Sequence, residues 1–208
     1  MQILAHRGLW YNEEERNSLS AFERAFMNGY GIETDIRDYR GKLVISHDIP
    51  NDDSIELSVV LKKYVEYDCK GWLALNVKAD GLQTVLQNLI DEYGIEKYFV
   101  FDMSIPEQVV YRKKKIPHFT RQSELEQSPI LYEDSLGVWM DEWEENWITK
   151  AYVEQHLQRG KMVSIISPEI HGRDPKFLLG ELEGVESENL FICTDKPTIW
   201  EAKENGKN

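Results

Sequence analysis

The run Gly31-Ile32-Glu33-Thr34-Asp35-Ile36-Arg37-Asp38-Tyr39-Arg40-Gly41-Lys42-Leu43-Val44-Ile45-Ser46-His47-Asp48 decides how the rest of the chain is read. Its opening residues alternate. In an extended strand, side chains two apart point the same way. Glu33 and Asp35 therefore share one face, and Ile32, Thr34 and Ile36 share the other. Neighbouring carboxylates repel, so a divalent cation, a basic residue or a shared proton must compensate. Arg40-Gly41 turns the chain, and the apolar run from Lys42 to Ser46 delivers His47-Asp48. Two carboxylates and an imidazole thus arrive from adjoining segments. Taken alone, the same pattern also describes a half-buried hairpin with a polar rim.

Upstream, Gln2-Ile3-Leu4-Ala5 reads as a short strand ending in His6-Arg7-Gly8. Asn17-Ser18 then caps a helix from Leu19 to Phe26, with apolar residues at helical spacing. With these residues in view, the chain resembles the glycerophosphodiester phosphodiesterase family. The resemblance rests on His6-Arg7-Gly8, Asn17, Glu33-Thr34-Asp35 and His47-Asp48, in that order. Each motif is weak alone, and the ordered set is much more specific.

Downstream, strand and helix patterns alternate without a linker. Helices are expected from Ser54 to Tyr67, Leu82 to Tyr93, Pro106 to Lys114, Thr149 to Gln158 and Pro175 to Leu182, with a last one near Ile199-Trp200. Strands are expected at Trp72–Lys78, Tyr98–Phe101, Pro117–Thr120, Gly137–Met140, Lys161–Ile166 and Leu190–Cys193, and a short helix should follow the weak strand at Pro117–Thr120. Such alternation implies parallel strands with helical crossovers. Eight units suggest a closed (β/α)8 TIM barrel formed by a single domain over residues 1–208, the fold the resemblance also implies.

Composition narrows the function. The 208 residues are 41% apolar and carry a formal charge of −13, which argues against nucleic acid and anionic membrane surfaces. No apolar run is long enough to span a bilayer, and no secretory signal precedes the first strand, so neither a membrane anchor nor export is expected. Cys69 and Cys193 match no metal spacing and read as thiols of a reducing, cytoplasmic compartment.

In a barrel, sites lie at the C-terminal strand ends. Those ends carry His6 and Arg7, Glu33 and Asp35, Asn76 and Lys78, and Thr194-Asp195. The resemblance implies His6 and His47 as a catalytic acid–base pair, and Arg7 and Lys78 as phosphate-binding cations. It implies Glu33 and Asp35, completed by Asn76, as ligands of one divalent ion, Mg²⁺ or Ca²⁺. The loop after the seventh strand offers Glu169, His171 and Arg173 as a substrate contact, or as an ordinary solvated loop.

Three departures from the family pattern stand out. Asn76 replaces the glutamate expected two residues before the lysine. The subdomain usual after His-Asp is missing, since only Ile49 to Gly71 intervene. Glu15-Arg16 replaces Pro-Glu ahead of Asn17. The expected activity is metal-dependent hydrolysis of a small soluble phosphodiester. The alternatives are a catalytically weakened phosphodiester-binding protein and a related enzyme acting on lysophospholipids.

Overall fold

In the computed structural model, which describes residues 1–204, the strand and helix patterns close into a nearly complete barrel of eight parallel strands with helices between them. The last four residues of the expected 1–208 span lie outside the described residues. The chain runs β1 (Gln2–His6), α1 (Leu19–Met27), β2 (Gly31–Tyr39), β3 (Lys42–Ile45), α2 (Leu57–Glu66), β4 (Leu73–Val77), α3 (Gln83–Tyr93), β5 (Tyr98–Phe101) and α4 (Ile105–Lys113). It continues through β6 (Phe119–Gln122), β7 (Gly137–Met140), α5 (Lys150–Gln158), β8 (Met162–Ile166), α6 (Lys176–Glu181), β9 (Leu190–Thr194) and α7 (Pro197–Glu204). Among the described residues no helix is long and apolar enough to cross a membrane.

The sheet order is β5-β4-β2-β1-β9-β8-β7-β6, and β3 folds back antiparallel on β2 outside that path. The β2–β3 turn is made by Arg40 and Gly41, with φ of 48° and 78°. Two consecutive positive φ values make the tight primed turn that suits twisted strands. This hairpin projects beyond the barrel and returns His47 toward the mouth.

Period-2 alternation sorts the strands. On β4, Leu73, Leu75 and Val77 pack outward with Ile32 and Ile36 of β2 against the first-half helices, while Ala74 faces the interior aromatic core. A second outer cluster joins β7–β9 to α5–α7 through Val138, Val163, Ile165, Leu178 and Trp200.

The barrel seam lies between β5 and β6, where a single bridge, Val100 to His118, replaces a ladder. Aromatic rings close it from inside. Phe99 stacks on Phe119 with centroids 3.7 Å apart, and Phe101 stacks on Trp139 at 3.7 Å.

The helix expected after the strand at Pro117–Thr120 does not form. The strand itself lies at Phe119–Gln122, and an irregular loop leads to one 3-10 turn at Tyr132–Asp134. Ser123 Oγ accepts from the backbone N–H of Leu125 and Glu126, which diverts the chain into a turn. Pro129 further on biases its predecessor away from helix.

Candidate active site

The barrel register brings the polar strand ends together. His6 is paired across the ladder with Glu33, and Asp35 with Asn76. With His47, Arg7 and Lys78 they line one cleft of about 710 Å³ at the C-terminal face. Eight of the ten residues singled out in the sequence line this cleft; Glu169 and Arg173 do not.

Glu33 and Asp35 are 3% and 1% exposed. Burial and the neighbouring Asp35 carboxylate push the Glu33 carboxyl up to about 7, against the lowering pull of His6, Arg7 and Lys78. Asp35 is held by cations from two sides. Arg7 Nε approaches Oδ2 at 3.4 Å, and Lys78 Nζ lies 3.7 Å from Oδ1.

Asn17 is no helix cap. Ser18 caps α1, its Oγ accepting from Ala21 N–H at 3.2 Å. Asn17 instead adopts a left-handed φ of 58° and donates its amide to Asp35 Oδ2 at 3.2 Å, while Thr34 Oγ1 donates to its Oδ1 at 2.8 Å. It braces the Asp35 carboxylate. The loop that carries Arg7 and Gly8 lies hard against α1. A Cβ at Gly8 would sit 2.8 Å from Ala21 and the backbone has φ of +88°, so both space and conformation require glycine there.

His6 Nδ1–H donates to Asp195 Oδ1 at 2.7 Å, and its Nε2 lies 3.8 Å from Glu33 Oε2. Arg16, stacked over Trp10, reaches the other Asp195 oxygen at 3.5 Å. The sequence places Asp195 at the end of the last strand and assigns it no partner. Barrel closure was the available signal, because β1 and β9 adjoin and Ala5 pairs with Thr194, one residue short of both partners. His47 is half exposed at the mouth. Its ring touches Asp48 at 3.0 Å, and its carbonyl accepts from Arg37 Nε and Nη2 at 3.2 and 3.1 Å.

The expected substrate loop separates into three roles. His171 faces the cleft, donates Nε2–H to Asp141 Oδ1 at 2.7 Å and packs on Trp143. Glu169 turns away and accepts from Ser167 and Thr194 hydroxyls, tying the end of β8 to β9. Arg173 donates to the Glu142 carbonyl at 2.9 Å and to the Asn146 side chain, pinning the loop after β7. Both are held by these structural hydrogen bonds, and neither lines the cleft.

Among the described residues, no group of three or more His, Cys, Asp or Glu side chains is arranged to hold a metal ion. The donor set nevertheless has the right chemistry. Glu33 Oε2 and Asn76 Oδ1 are buried oxygens without a hydrogen-bond donor among the described residues, beside the Asp35 carboxylate. Two carboxylates and an amide oxygen are hard ligands of the kind that suit Mg²⁺ or Ca²⁺.

No family model and no curated protein matches the sequence. Solved structures do match the fold. A Galdieria sulphuraria protein given as a candidate glycerophosphodiester phosphodiesterase superposes with a TM-score of 0.77 at 18% identity, covering 99% of this chain and 97% of its own. An Oleispira antarctica phosphodiesterase, solved with the product sn-glycerol-3-phosphate, gives 0.71 at 14% identity, with 99% and 97% covered. A glycerophosphodiester phosphodiesterase of Agrobacterium tumefaciens gives 0.67 at 14%, with 97% and 99% covered. At these identities the likeness is one of fold, and over nearly its whole length the chain is folded as these phosphodiesterases are.

Proposed function

We propose that the barrel is a metal-assisted phosphodiesterase acting on a small, soluble, glycerophosphodiester-like substrate. The observation that carries this reading is the buried Glu33–Asp35 pair, flanked by Arg7 and Lys78 and faced by His6, in one cleft. The phosphodiesterases that share the fold support it.

Glu33, Asp35 and Asn76 would hold one divalent ion, Mg²⁺ or Ca²⁺, which supplies Lewis acidity to a phosphate oxygen when bound. Arg7 and Lys78 neutralise the charge that builds on the phosphoryl oxygens, and the guanidinium fork of Arg7 suits two of them. Asp195 engages His6 Nδ1 and leaves Nε2 facing the carboxylate pair. His6 and His47 divide the proton transfers. One takes the proton of water or a neighbouring substrate hydroxyl as its oxygen bonds to phosphorus. The other protonates the alcohol as its bond to phosphorus breaks.

The test is hydrolysis of glycerophosphodiesters and a chromogenic phosphodiester with and without Mg²⁺ or Ca²⁺. Activity should require the ion, and His6→Ala or His47→Ala should each lower kcat by about 10²–10⁴-fold, the contribution of a positioned acid or base. A metal-loaded protein inert across a broad panel of phosphodiesters would overturn the assignment.

A second reading is favoured by the rim. Tyr11, Ile49, Leu125 and Trp143, from different loops at the barrel mouth, are 77%, 88%, 74% and 50% exposed. These residues would suit a substrate with an acyl chain, such as a lysophospholipid. Faster turnover of lysophospholipid micelles than of soluble diesters would select it.

A further inference from the structure

Lys78 has two acidic neighbours. Asp102 Oδ2 accepts its Nζ–H at 3.0 Å, and Asp35 Oδ1 lies further off at 3.7 Å. Asp102 follows β5 directly and holds a left-handed φ of 66°, a conformation uncommon outside glycine but tolerated by Asp and Asn. Its second oxygen, Oδ1, accepts from Arg121 Nη1 at 2.9 Å, and Arg121 Nε is fixed in turn by Glu126 at 3.0 Å. Asp102 is thereby clamped from the far side of the seam and draws on Lys78 from the near side.

We propose that Asp102 is a positioning residue that holds the Lys78 ammonium off Asp35, so that Asp35 Oδ1 stays open to a cation while Lys78 stays available to an anion. The inference rests on the metal-assisted reading of the site. An ammonium beside two carboxylates divides between them by distance and charge. With the Asp102 charge removed, Asp35 is the remaining full carboxylate beside Lys78, and the lysine closes onto it. The lysine then occupies a lone pair that a metal ligand needs.

The experiment is calorimetric measurement of magnesium binding to wild type, Asp102→Asn, Lys78→Met and the double variant, together with a crystal structure of Asp102→Asn. Asparagine keeps the left-handed backbone accessible, removes the charge and replaces one of the two acceptor oxygens by an NH2 donor. Asp102→Asn should weaken magnesium about tenfold, a coupling ordinary for contacting neighbours. Adding Lys78→Met should restore most of that loss, because the competing ammonium is gone. In the crystal, Lys78 Nζ should sit within hydrogen-bond distance of Asp35.

Unchanged magnesium affinity in Asp102→Asn would overturn the proposal. So would an equal effect of Lys78→Met in both backgrounds, which would mean that the two charges act independently. If wild type binds neither magnesium nor calcium, the metal reading fails, and the crystal structure still decides the role of Asp102: a lysine that keeps its place overturns it. Arg121→Gln separates the seam from the clamp. It should lower the thermal midpoint while shifting magnesium affinity less than Asp102→Asn does.

Discussion

Glu33 is a carboxyl held near neutrality by burial and by Asp35, at about 7 against an ordinary 4.5. Between those values the folded protein keeps a proton that the unfolded chain has released. Stability therefore falls as pH rises through that window. Glu33→Gln lacks this cost. In metal-free buffer its thermal midpoint should rise relative to wild type as pH goes from about 5 to about 7, and the two should converge at low pH. Differential scanning calorimetry across that range checks it, and a constant difference would show that Glu33 is not the group responsible. A bound cation should flatten the wild-type profile, because it stabilises the ionised form.

At the level of elements, close packing sets the demands. β7 begins at Gly137, where a Cβ would lie 2.5 Å from the Met162 carbonyl of β8 and 2.6 Å from the ring of Phe119. Gly137→Ala should destabilise the fold by about 1–3 kcal/mol, the usual cost of forcing atoms into a filled core. The check is a lower urea midpoint at unchanged m.

The strands were legible because two-residue alternation on β2 and β4 encodes which face is buried. Glu33, Asp35 and Asn76 therefore fell on the interior face in the sequence as they do in the structure. The loop after β6 was misread, since Ser123 and Pro129 outweigh local helix propensity there. Glu169 and Arg173 carry polar chemistry in a suggestive place, yet spend it on Thr194 and Asn146, contacts no local pattern reveals. Asp102 and Arg121 were invisible for the same reason, because their pairing spans the seam.

Across the whole molecule, a charge of −13 opposes an anionic substrate, while the cations inside the cleft attract it. Salt discriminates between these fields by range. Raising ionic strength from about 10 to about 150 mM shortens the screening length from roughly 30 to 8 Å. The distant repulsion is lost first, while contacts at Arg7 and Lys78 persist. The KM for an anionic diester should therefore fall about twofold over that range, given the size of electrostatic effects on encounter. Steady-state kinetics at several salt concentrations measure it, and a rising KM would mean that cleft cations dominate at long range.

The unladdered seam has a further consequence. β1 stands as a spine in the sheet order, with β2, β4 and β5 on one side and β9, β8, β7 and β6 on the other. Each side carries its own outer core, and Ile3 touches both. A backbone nick in the segment between α4 and β6 would fall at that seam and cut no strand of the sheet. The chain is thus suited to division into two genes whose products complement one another. His6 and Glu33 would come from one fragment and Asp195 from the other, so the cleft would be rebuilt only where the two fragments meet.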